Sequence, residues 1–185
     1  NPVCNFDGSS VIGPLYKRAM RIEKPEGELR RGWTTGACAT AAVKAAFAAL
    51  KTGRFPDPVT ITLPKGETPS FALALEEMGD GFARAGIIKD AGDDPDVTHG
   101  CMVIATVRAG GDGIRFKAGA GVGVVTREGL PIPPGEPAIN PVPRQQIRAN
   151  VTDAVYEVKP GEPDYLAEHG LEVIISVPAG AELAQ

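Results

Sequence analysis

The chain has 185 residues, 43% hydrophobic content and a net charge of −4, enough for one substantial core or for one large and one small lobe. That charge balance argues against a general affinity for nucleic acid, which needs a clustered basic surface, and the apolar runs are too short to cross a bilayer. Three distant cysteines, Cys4, Cys38 and Cys101, and two histidines, His99 and His169, argue against a disulfide framework or a structural zinc site; the expectation is reduced thiols in a cytoplasmic protein with no metal of its own.

Residues 1 to 28 read as irregular, because Asn-Pro, Asp-Gly-Ser-Ser, Gly-Pro and Pro-Glu-Gly are turn formers with little periodicity between them. The domain proper is expected over 29–185. An Ala-rich run from Ala37 to Leu50 predicts a helix, with Thr34 or Thr35 as its cap and Gly53 as its stop. Val43, Ala46, Phe47 and Leu50 share one face of it. Val59 to Leu63 alternates as a half-buried strand does. Phe71 to Glu76 reads as a strand, Gly79-Asp80-Gly81 as a turn, and Phe82 to Lys89 as the return strand. Met102 to Arg108 is the next strand, and Gly110-Gly111-Asp112-Gly113 reads as a hairpin turn into Ile114 to Lys117. Pro143 to Tyr156 predicts a second helix, with Pro143 early in it and Ile147, Val151 and Val155 on one face. Gly170 to Val177 is a last strand that alternates less cleanly. Strands in hairpin-like succession with two separated helices predict an α+β fold, a two-layer α/β sandwich on a mixed, mainly antiparallel sheet.

Four segments offer chemistry. The first is the helix entrance. Arg30 and Arg31 stand just ahead of Thr34-Thr35-Gly36, where free backbone N–H groups and the helix dipole favour anions and guanidinium groups favour carboxylates. An ordinary capped helix with solvated arginines explains the same residues. Cys38, in the first turn, has either a lowered pKa or the plain role of a small buried residue. The second segment is Lys89-Asp90-Ala91-Gly92-Asp93-Asp94-Pro95-Asp96-Val97-Thr98, whose crowded carboxylates fit neither a helix nor a strand face. They build turns by capping N–H groups, contact a ligand, or bind a hard cation, although the spacing is not that of an EF-hand. Asp90 and Asp94 are the candidates for moving a proton there.

The third segment is Lys117 to Val125, with Gly119, Gly121 and Gly123 at every second position. It lets a backbone approach a ligand closely, or it packs tightly against another backbone. It matches neither a dinucleotide loop nor a Walker loop. The fourth is the Pro-rich connection from Gly129 to Arg144, a rigid frame that carries Glu136, Asn140 and Arg144. Arg144 in a first helical turn opposes the dipole preference, which hints at a partner for it.

Arg30 to Ala39, then Lys89 to Gly100, then Ala118 to Arg144, in this order, resemble the cobalt-precorrin-5B C-1 methyltransferase family of cobalamin synthesis, from about Leu29 to Ala184. The resemblance implies S-adenosylmethionine as methyl donor and a cobalt-containing tetrapyrrole as substrate, methylated at C-1 to give cobalt-precorrin-6A. It also implies a protein roughly twice this length, in two domains of ordinary size, whose second, α/β half is absent here. The chain alone is then expected to transfer no methyl group. The acetate and propionate arms of such a substrate suit Arg30, Arg31, the Thr34-Thr35-Gly36 entrance, Lys89 and Arg144. Trp33 is a candidate cover for the flat ring. Asp93, Asp94, Gly119, Gly121, Gly123, Glu136 and Asn140 complete the expected substrate-binding set. Transfer from a sulfonium needs no metal and draws its rate mainly from positioning. The competing readings are a metal-dependent phosphoryl-transfer or hydrolytic enzyme built on the acidic loop, and a non-catalytic polyanion-binding module. Neither a nucleic-acid nor a membrane partner is expected, and the oligomeric state stays open, a homo-oligomer included.

Overall fold

The computed structural model describes residues 29–129, 131–156 and 165–178. The N-terminal segment to residue 28, Cys4 and the run after residue 178 lie outside the described residues, as does the side chain of Val155. The first helix, α1 (Thr35–Thr52), begins where Thr34 Oγ1 accepts from the Ala37 N–H at 3.1 Å and ends at Gly53 with φ +74°. Val43, Ala46 and Phe47 are fully buried as the helical spacing requires, and Leu50 is partly so. Burial also extends to the opposite side, over Cys38, Ala41, Ala42, Ala45 and Ala49. The reason is that α1 lies between two neighbours, the main sheet and the second long helix. Alanine both favours the helix and lets each neighbour approach.

Two short strands follow, β1 (Val59–Thr60) and β2 (Ser70–Phe71), paired antiparallel. Val59 and Ile61 are buried while Thr60 and Thr62 are exposed, so the predicted alternation holds beyond the ladder. β3 (Leu75–Gly79) and β4 (Phe82–Ile88) form the expected hairpin, with Gly81 at φ +71° in the turn. The single strand expected over Phe71 to Glu76 is therefore two strands in two different sheets. Phe71 turns into the core beneath Trp33, and Leu75 instead pairs with Gly86.

β5 (Met102–Ala109) pairs antiparallel with β4, and β6 (Ile114–Ala118) follows. The expected hairpin between β5 and β6 does not form. The last strand, β7 (Leu171–Ser176), inserts between them, antiparallel to β5 and parallel to β6, so the order is β3-β4-β5-β7-β6. Gly110 to Gly113 thus spans two strand spacings, about 10 Å, and passes over the start of β7, where the Leu171 N–H donates to the Gly113 carbonyl at 2.7 Å. A parallel pair needs a long crossover. It contains α2 (Pro141–Tyr156), which starts two residues before the expected Pro143, and a short α3 (Tyr165–His169) that the sequence reading missed. β7 alternates cleanly, with Leu171, Val173 and Ile175 facing the core.

The result is the expected α+β arrangement on a mixed, mainly antiparallel sheet. Ala83, Ala85, Ile87, Val103, Ala105 and Val107 meet α1 on one face. α2 packs beside α1, and its Arg144 and Arg148 lie 5.5 and 5.0 Å from the Phe116 ring of β6. Asn150 of α2, fully buried, bonds both the N–H and the carbonyl of Thr62 and so holds the β1 segment in place. No described helix is long and apolar enough to cross a membrane.

Candidate functional site

The chain ahead of α1 and the loop after β4 run side by side. Trp33 N–H donates to the Asp90 carbonyl at 2.7 Å, Asp93 N–H to the Arg30 carbonyl at 3.0 Å, and Arg31 bridges Gly92. The approach is close enough to require glycine on both sides. A Cβ on Gly32 would overlap the Ala91 carbonyl group, and one on Gly92, at φ +64°, would overlap the Arg30 carbonyl oxygen.

Side chains then lock the clasp. The Arg30 guanidinium grips the Asp90 carboxylate in a fork at 2.6 and 2.8 Å, and this contact holds the Asp90 carboxyl below the usual carboxylate range. Arg31 forks onto Glu67 at 2.6 and 2.5 Å and lies 5.2 Å over the Trp33 ring. Lys89, 1% exposed, donates to Asp96 Oδ2 at 2.7 Å, while Asp96 Oδ1 accepts from the N–H and hydroxyl of Thr98. The Lys89 ammonium, with Thr98 adding to it, drives the Asp96 carboxyl far below its ordinary value. Thr98 Oγ1 stands 3.4 Å from Thr35 Oγ1, so the acidic loop reaches the start of α1.

Two hollows open beside this network. The first, about 520 Å³, is lined by Arg30, Arg31, Trp33, Lys89, Asp93 and Asp94 among others. The second, about 510 Å³, runs between the starts of α1 and α2 over an apolar wall that includes Val122, Ile139, Ile175 and Val177. Thr34 and Asp96 line both, so the two hollows adjoin and together make a trough beside the start of α1.

A family model described as CbiD matches residues 22–185. The chain belongs to the CbiD family. The cobalt-precorrin-5B C(1)-methyltransferase of Brucella canis is 59% identical over 170 residues, 88% of this chain and 43% of that protein. That of Agrobacterium fabrum is 59% identical over 159 residues, 85% of this chain and 40% of its own length. The crystal structure of the cobalamin biosynthesis protein CbiD from Archaeoglobus fulgidus superposes with a TM-score of 0.57 at 34% identity, over 84% of this chain and 46% of that one. The chain thus spans less than half the length of the CbiD relatives it matches.

In this CbiD chain the trough gathers Arg30, Arg31, Trp33, Thr34, Thr35, Gly36, Lys89, Asp93, Asp94 and Asn140 from the residues singled out in the sequence. The others stand apart from it. Asp90 is held by Arg30 and does not line either hollow. Gly119 packs against β7, where a Cβ would overlap Ser176 Oγ, and Gly121 and Gly123 also lie off both hollows. Arg144 has its expected partner, but that partner is the Pro-rich connection: the guanidinium donates to Glu136 and to the carbonyls of Pro137 and Ile139 at 2.8–3.0 Å. It faces a separate groove with Arg148. Cys38 is buried, and burial pushes its thiol up to about 11. Among the described residues, no group of three or more His, Cys, Asp or Glu could hold a metal. Two contributors escaped the sequence reading of the site, Glu67 and Gln146, and neither carried a signal. Asp96 reads there as one of the loop's possible ligand or cation contacts, and the structure makes it the partner of Lys89.

Proposed function

We propose that this chain forms the tetrapyrrole-binding part of a cytoplasmic enzyme that methylates C-1 of cobalt-precorrin-5B, with S-adenosylmethionine as donor and cobalt-precorrin-6A as product. The observation that carries the reading is the trough itself. Segments about sixty residues apart in sequence, the α1 entrance and the Lys89–Thr98 loop, meet there with cations, free N–H groups and an apolar wall on one surface. The names of the relatives from Brucella canis and Agrobacterium fabrum supply the reaction. The donor brings an activated methyl group on a positively charged sulfur. The task of this chain is to hold and orient the acceptor ring, and positioning of that kind supplies most of the rate in such a transfer.

The charges divide by role. Arg30 and Arg31 pair with Asp90 and Glu67 on the exposed side of the trough. Such pairs are weak in water, and each guanidinium keeps N–H donors beyond the two its partner uses, so a ligand carboxylate can share it. Lys89 is buried against Asp96 and stays with it. Arg31→Ala is expected to weaken binding of cobyrinic acid, a corrin with free carboxylates, by about tenfold, read from the visible absorbance of the corrin. Trp33→Leu should weaken it as well. Unchanged affinity in both variants removes the ring-binding role.

A further inference from the structure

The trough has a polar end that the pairing of its cations does not explain. Helices α1 and α2 begin side by side there: a Cβ on Gly36 would sit 3.0 Å from Pro143 Cγ. Neither helix carries an acidic residue of its own in its first turn, and both first turns line the same hollow. Thr34 Oγ1 caps Ala37, which leaves the Thr35 and Gly36 N–H groups with no helical acceptor.

A second observation is independent of the helix ends. Gln146 stands between this hollow and another over Pro64 and Ala149, is 9% exposed, and its Nε2 has no hydrogen-bond partner. A buried amide left unpaired is costly, and the group it lacks is an acceptor. Asp96, on the same lining, does not meet that need: it is held by Lys89 and Thr98 and makes no bond to Gln146 Nε2.

We infer that the hollow between the starts of α1 and α2 is a carboxylate subsite, in which the Thr35 and Gly36 N–H groups and the Gln146 amide receive one carboxylate and the apolar wall of Val122 and Ile139 covers the carbon chain that carries it. This deepens the reading above and rests on it for the class of ligand. A carboxylate arm of the tetrapyrrole and the methionyl carboxylate of the donor share the required chemistry.

The test is an amide-resolved NMR titration of the whole chain with three probes: cobyrinic acid, cobinamide (the amidated corrin) and S-adenosylhomocysteine. The inference expects the Thr35 and Gly36 amide signals to move with cobyrinic acid or with S-adenosylhomocysteine, whichever is the source, and not with cobinamide. Gln146→Leu should lower affinity for the active probe while leaving the free chain as stable or more so, an outcome that a purely structural glutamine would reverse. Asn140→Asp keeps a good residue ahead of α2 and puts a negative charge on the lining; it should cost about tenfold in affinity. Cobyrinic acid that shifts only the surroundings of Arg30 and Arg31, with Thr35 and Gly36 unmoved by S-adenosylhomocysteine as well, overturns the subsite and leaves the ring-binding reading standing. Movement of Thr35 and Gly36 with S-adenosylhomocysteine but not with cobyrinic acid upholds the subsite as a donor site, and the ring-binding reading falls only if cobyrinic acid also leaves Arg30, Arg31 and Trp33 unshifted. No movement at Thr35 and Gly36 with either acid, or equal movement with cobinamide, overturns the subsite.

Discussion

Lys89 places an ammonium group out of reach of water, 1% exposed, with Asp96 as its carboxylate partner at 2.7 Å; the Asp96 side chain keeps 34% of its own exposure. The two halves of the pair are therefore not equivalent. Asp96→Asn strands a buried cation and is expected to cost about 2–3 kcal/mol in urea unfolding. Lys89→Met leaves a carboxylate that water and Thr98 still solvate, so it should cost less. The reverse order would place the lysine in solvent. The pair also sets an acid limb. Asp96 is held far below the ordinary carboxylate value, first by Lys89, so the folded chain binds fewer protons there than the unfolded one. Its stabilisation is complete above about pH 4, the ordinary value, and fades as pH falls from there toward the folded value. The Asp96→Asn variant should lose stability less steeply than the parent between about pH 4 and 2, and parallel limbs would show that the pair contributes nothing in solution. None of this pairing was legible in the sequence. The crowded aspartates marked the loop as a site, but which of them finds Lys89, and that Arg31 finds Glu67, depends on a chain path that no local pattern encodes.

At the scale of elements, local signals carried α1 from its Thr34 cap to its Gly53 stop, and the β3–β4 hairpin with its turn. They failed where neighbours are decided by the whole sheet. Gly110-Gly111-Asp112-Gly113 has the composition of a tight hairpin, yet its flanking strands are separated by β7, whose residues come more than fifty positions later. The Pro-rich connection shows the converse case, a loop that one side chain ties together. Its prolines cannot donate hydrogen bonds but their carbonyls still need donors. Arg144 supplies them to Pro137 and Ile139 and also meets Glu136. Replacing Arg144 with Ala should speed amide exchange at Val125, Gly135 and Ala138, which bond across this connection, by about tenfold or more, with α1 unaffected. Lysine should not rescue it, because a point charge cannot serve three acceptors that a planar fork fits. Unchanged exchange in Arg144→Ala would mean that the prolines alone order the loop.

At the scale of the molecule, a net charge of −4 coexists with a trough whose exposed rim carries Arg30 and Arg31. The site is thus a local arrangement of donors and not a property of the surface as a whole, and bulk charge could not have located it. The same holds for the core. Helix α1 is enclosed by the sheet on one side and α2 on the other, and the sheet is continuous only because β7 fills its gap. β4, β5 and α2 all pack on α1, so none of the three can lift off it without exposing the helix. Cys38, at the start of α1, reports on that cooperativity. Burial raises its thiol to about 11, so at pH 8 only about one part in a thousand is thiolate even before access is considered. Its reaction with iodoacetamide should therefore be far slower than that of the half-buried Cys101, and should accelerate with urea along the same slope as global unfolding. Labelling of Cys38 at the rate of an exposed thiol in native buffer, or with a shallow urea dependence, would mean that α1 opens on its own and that the trough it anchors is not a rigid frame.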